Sequence, residues 1–156
     1  MTRRLLMAAA VLFAGAIADS PVHAASGPFA ALAGTWNGGG TVTLDDGSKE
    51  RLRCRASYEP AGPSMNMTLT CASDAYKFQL VANVVDQGGG ISGSWTETSR
   101  AVSGTLSGRG AGGNFEVTAS AATFNANISL RTVGNRQSIV MRADTQFRGA
   151  TISLSR

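Results

Sequence analysis

The sequence predicts an all-β domain: a single antiparallel up-and-down β-barrel of about ten short strands, with a β-sandwich as the competing arrangement. Three observations lead there. From Gly34 onward, apolar side chains return every second residue, the period of a half-buried strand. Glycine is abundant, at 19 residues, and with Ser, Thr and Asn it fills the gaps between apolar positions, as many strands joined by tight turns require. A long series of hairpins leaves two unpaired edges unless the sheet closes on itself, so a barrel answers the pattern better than an open sheet.

Residues 26–33 form a short lead-in, where Pro28 opens a brief helical turn. The first strand spans 35–44. It puts Trp36, Val42 and Leu44 on one face, with Gly38 and Gly40 between them. Asp45-Asp46-Gly47-Ser48 is a turn in which Gly47 supplies the positive φ. The second strand, 49–58, sends Leu52, Cys54, Ala56 and Tyr58 one way and Lys49, Arg51, Arg53 and Arg55 the other. A loop is expected over 59–64, where two prolines and a glycine interrupt the ladder. The third strand, 65–72, places Met65, Met67, Leu69 and Cys71 on one face. The fourth, 76–84, turns Tyr76, Phe78, Leu80, Ala82 and Val84 inward. A glycine-rich turn over 86–90 precedes strands at 91–97, 102–108, 115–121, 124–132, 138–143 and 150–155. Ser-Gly steps at Ser92-Gly93, Ser103-Gly104 and Ser107-Gly108 supply small residues where a sheet bends sharply.

Residues 1–24 read as an export signal. Arg3 and Arg4 make a positive start, an apolar run follows from Leu5 to Ala18, and Val22-His23-Ala24 is a small-residue cleavage site. The apolar run falls short of the roughly 20 residues that span a bilayer. The mature chain is therefore expected to begin at Ala25, with a lead-in over 25–33 and one barrel domain over 34–156. A periplasmic or secreted location in a Gram-negative bacterium follows. A membrane-embedded barrel is not expected, because these strands look shorter than the roughly 9–11 residues such a barrel uses. The chain also ends on a charged residue, Arg156.

The sole histidine, His23, leaves with the leader. Without it the mature chain has no Ser-His-Asp triad, no Cys-His pair and no imidazole ligand for zinc or haem. No calcium loop and no phosphate-binding glycine loop is present. The one carboxylate pair to weigh for glycoside hydrolysis is Glu50 and Glu97, and nothing in the sequence brings them together. Glu97 and Arg100 are expected to pair locally near Trp95. The expectation is a protein that is not an enzyme and carries no cofactor or metal.

Cys54 and Cys71, the two cysteines, are an even count in an exported chain. A hairpin turning about Gly62-Pro63 sets Tyr58 against Met67, Ala56 against Leu69 and Cys54 against Cys71, with both apolar sets on one face. Directly opposed strand residues are close enough for a disulfide. Redox-active pairs are instead spaced Cys-x-x-Cys.

The sharpest charge feature is the row Arg51, Arg53 and Arg55 on one face of one strand. Arginine forks suit carboxylate or phosphate partners, so the row is a candidate anion-binding site for an envelope polysaccharide, lipid headgroup or acidic protein surface. It also serves as the solvated face of a half-buried strand. Nucleic acid is not expected as a partner, since no aromatic stacking platform accompanies the bases. Candidate ligand-lining residues are Trp36, Tyr58, Met65, Met67, Tyr76, Phe78 and Trp95, each of which also serves as core.

Gly34-Thr35-Trp36, at the start of the first strand, resembles the Gly-x-Trp signature of the calycins, the lipocalin-like barrels. The resemblance covers those three residues and the general strand pattern. It implies an up-and-down barrel with a mouth for an apolar ligand, and a Trp packed under an Arg from a late strand. Arg142, Arg148 or Arg156 would take that part here. Haem-binding relatives use a histidine ligand, which the processed chain lacks. The profile of leader, small barrel and one disulfide is also similar to that of periplasmic inhibitors of secreted proteases. The expected function is a non-catalytic barrel binding a small apolar ligand or an anionic envelope component. The alternatives are an inhibitor of a secreted protease or lysozyme, and a structural envelope protein. Oligomeric state and ligand identity are left open at this level.

Overall fold

A computed structural model describes residues 26–144 and 147–156; the proposed leader and its cut after Ala24 lie outside the described residues. Ten strands follow one another: β1 (Gly34–Leu44), β2 (Lys49–Ala61), β3 (Ser64–Ala72), β4 (Lys77–Gln87), β5 (Gly90–Glu97), β6 (Val102–Ala111), β7 (Asn114–Ser120), β8 (Asn125–Val133), β9 (Arg136–Ala143) and β10 (Phe147–Ser155). Each pairs antiparallel with its chain neighbours, and β1 pairs with β10, so the sheet closes into a barrel. The sandwich is thereby excluded.

The period-two reading holds around the wall. Inward positions carry Trp36, Val42, Leu52, Ala56, Leu69, Ala82, Ile91, Leu106, Phe115, Ile139 and Ile152, all buried. The predicted β2–β3 register is observed residue for residue: Tyr58 faces Met67, Ala56 faces Leu69 and Cys54 faces Cys71. The two cysteines form a disulfide with Cα atoms 4.1 Å apart, inside the barrel.

Three expectations need correction. The loop over 59–64 shrinks to Gly62-Pro63, because β2 continues through Pro60, which lies opposite Met65. A proline lacks only the donor, and Gly62, at φ 59°, supplies the left-handed residue of the two-residue reversal. The 86–90 turn likewise shrinks to Gly88 and Gly89, both at positive φ. Eight of the ten strands are longer than expected, up to 13 residues in β2, while β7 (7 residues) and β8 (9 residues) have the expected length. Length therefore does not separate this barrel from a membrane-spanning one. Polarity does: the inside is apolar and Arg51, Arg53 and Arg55 stand exposed on the outside, the reverse of a barrel facing lipid.

Closure needs its first and last strands to come close. A Cβ at Gly38 or Gly40 would lie 2.0 Å from the carbonyl oxygen of Ser153 or Thr151 on β10, so only glycine fits the β1 side of this seam.

The two ends differ. At the lower end, the lead-in folds under the barrel as a 3-10 turn (Ala30–Leu32) after Pro28. Phe29 and Leu32 are each 1% exposed there, and the Phe29 ring stacks on Phe115 at 5.5 Å. Trp36, fully buried, donates its indole N–H to the Leu32 carbonyl at 2.7 Å. The guanidinium of Arg156 sits 4.5 Å above the Trp36 ring and donates to the Ala33 carbonyl, so Arg156, not Arg142 or Arg148, covers the tryptophan. The upper end carries the turns after β1, β3, β5 and β7, and no comparable plug is found there among the described residues.

Candidate functional site

The seven candidate lining residues do not form one site. Trp36, Tyr58 and Met65 are buried in the sealed lower and middle barrel. The Tyr58 hydroxyl donates to Gln137 Oε1 at 2.7 Å, and Gln137 Nε2 donates to Thr132 Oγ1 at 3.0 Å. This chain satisfies the two buried polar residues that face the core. Burial pushes the Tyr58 phenol far above its usual pKa, against the smaller opposing effect of the Gln137 hydrogen bond, so it stays a neutral donor. Met67 is half-buried at mid-height, opposite Tyr58.

The other three approach the upper mouth. Trp95 is buried, donates to the Thr105 carbonyl at 3.1 Å, and meets the Phe124 ring at 5.8 Å. Phe78 is half-buried near the top of β4. Tyr76 is not in the strand, as expected from alternation, but in the turn before it, held by its amide N–H on Ser73 Oγ. Its ring lies 6.2 Å from Phe78 and 4.4 Å beneath the Arg100 guanidinium. Leu44, Leu80, Val102 and Phe124, which were not singled out from sequence as lining residues, complete this half-buried apolar rim. Period two assigns a residue to a face but says nothing of its height in a barrel. Nearness to a turn was the one available signal.

The two acidic candidates also reach the upper end, each committed to its own turn. Glu50 accepts a hydrogen bond from Ser73 Oγ. Glu97 accepts the backbone N–H groups of Gln79 (3.0 Å), Ser99 (3.1 Å) and Arg100 (2.8 Å). The expected pairing with Arg100 is present, at 3.6 Å. Burial acts to raise the Glu97 pKa, but these donors outweigh it and hold the carboxyl below its ordinary value. Among the described residues, no three His, Cys, Asp or Glu side chains gather as a metal site.

Arg51, Arg53 and Arg55 all stand exposed on the outer wall of β2. Arg53 lies 3.6 Å from Asp74, with both side chains in solvent, a pair too exposed to hold either group firmly. No helix among the described residues is long and apolar enough to cross a membrane.

No protein-family model matches the sequence, and no curated protein matches it. The fold does have solved counterparts. The chain is similar to the crystal structure of Rv2717c from M. tuberculosis, with a TM-score of 0.66 and 15% identity, over 81% of this chain and 92% of that one. It is also similar to the S-type phycobiliprotein lyase CPES from Guillardia theta, with a TM-score of 0.59 and 12% identity, over 82% of this chain and 89% of that one. At such identities the likeness is one of fold alone, and the fold of this chain is a closed ten-stranded antiparallel barrel.

Proposed function

We propose that the protein is a non-catalytic binding barrel, exported to the periplasm or beyond, that takes a small apolar molecule at its upper mouth. The difference between its two ends carries this reading. Phe29, Leu32, Trp36 and Arg156 close the lower end, whereas Leu44, Phe78, Leu80, Val102 and Phe124 stay half-buried around the upper one. Apolar side chains left partly wet at the open end of a barrel gain from covering by an apolar guest, at roughly 25 cal/mol per Å² of surface removed from water. The carboxylates nearby each hold a turn, which supports a binding role over a catalytic one. The disulfide supports an oxidising compartment.

Titration with the neutral apolar dye 1-aminoanthracene tests the reading. Saturable binding is expected, with a change in the emission of Trp95 beneath the rim. Val102→Glu places a charge in the mouth and should weaken binding by about tenfold or more. Absence of saturable binding, or equal affinity in the variant, would sink the proposal.

A further inference from the structure

The outer wall carries a second feature, independent of the mouth. Strand register sets bases across from one another in rows running from β2 over β1 and β10 to β9 or β8. Lys49 heads a row through Thr43 and Gly149 to Arg142. Arg53 heads one through Gly39, Ser153 and Ser138 to Arg131. Arg55 heads one through Asn37 and Ser155 to Arg136. All six bases are exposed. Two rails of positive charge therefore flank a floor of glycine, serine, threonine and asparagine. With strands about 4.8 Å apart, the rails stand about 14–19 Å apart at the backbone, and long arginine side chains narrow that gap.

Two shallow depressions lie along this floor. One is bordered by Arg131, Arg136 and Arg156, the other by Lys49, Arg142 and Arg148. Among the described residues no Asp or Glu side chain lines either one. Among the described residues Asp74, wholly exposed, pairs with Arg53, and exposed Asp46 lies within the field of Arg148 at the edge of the second depression. The opposite wall is mixed in charge: β5 turns Gly90, Ser92, Ser94 and Thr96 outward, and exposed Arg109 on β6 lies across from exposed Glu116 on β7.

We propose that this trough binds a linear acidic polysaccharide lying along the strands. Arginine forks on both rails donate to carboxylates, and the hydroxyl floor offers hydrogen bonds to sugar hydroxyls. A membrane surface fits less well. Val85 and Val133 are the exposed large apolar residues among those described, they lie on different strands, and among the described residues no aromatic side chain lines either depression. Single-stranded nucleic acid likewise finds no ring to stack on along this floor among the described residues.

Isothermal titration of the purified protein at low ionic strength decides the matter. The probes are polygalacturonate, neutral dextran, phosphatidylglycerol vesicles and oligothymidylate. Polygalacturonate should bind and dextran should not, and binding should collapse when salt screens the rails. Arg53→Ser with Arg55→Ser, and separately Arg131→Ser with Arg136→Ser, should each weaken binding by about fivefold or more. Lys77→Ser with Arg109→Ser, away from the trough, should leave it within about twofold. The idea is overturned by no binding of polygalacturonate, by binding indifferent to salt, or by tighter binding of vesicles or oligothymidylate. Loss on one rail alone, or equal loss in the Lys77 and Arg109 variant, overturns it too. The salt response of the unmodified protein tests the trough even if a variant misfolds, and none of these readouts depends on the mouth.

Discussion

Glu97 shows how a single side chain can look catalytic and serve as a fastener. Its carboxylate gathers three backbone donors and Arg100, closing the turn after β5, where Ala101 sits at φ 54°. Because the folded-state pKa is lowered, the carboxylate stabilises the fold above its unfolded pKa of about 4.5 and loses that contribution as pH falls through the folded value. Glu97→Gln should therefore cost about 1–2 kcal/mol at pH 7. Urea titrations of both proteins should show the gap closing in acid, and a pH-independent gap would refute this account. The Glu97–Arg100 pairing was legible in the sequence because it is local. The choice of Arg156 over Arg142 and Arg148 as cover for Trp36 was not. It depends on which end of β10 returns beneath the barrel, and that is set by closure and not by spacing.

Among the elements, the β2–β3 hairpin was the most readable. Two apolar sets and one cysteine pair agree on a single register, and slipping it by one residue would turn both sets outward. The disulfide closes a separation of 17 residues. Replacing Cys54 and Cys71 by alanine together should lower unfolding free energy by about 3 kcal/mol in the chain-entropy account. Chemical denaturation measures it, and a loss near zero would show that the strand pairing alone restrains this segment. Strand ends were less readable. Pro60 and the 86–90 glycines looked like breaks, yet both neighbouring strands run on into tight two-residue turns. Ladder bonds from the neighbouring strand overrode local preference there.

For the whole molecule, the asymmetry of the two ends should appear in stability. Phe29→Ala removes a buried, stacked ring from the lower plug and should cost about 3–5 kcal/mol. Phe78→Ala, at the half-buried upper rim, should cost clearly less. Denaturant midpoints compare them, and equal losses would mean that both ends are core. The basic trough exists only at this scale. The row Arg51, Arg53 and Arg55 was visible as a stripe on one strand, but its opposing rail comes from β8 and β9, far along the chain. Nothing local to either segment announces the other.

By itself the sequence determined the alternation of inside and outside, the ten-strand count, the cysteine pairing and the outward arginines, because each follows from period-two geometry within a strand or across one short hairpin. The tertiary structure alone decided which end is plugged, which arginine covers Trp36, how high each apolar residue stands and which distant bases face each other. Those properties arise when β1 meets β10, and a closed sheet sets height and circumference through register summed over every strand.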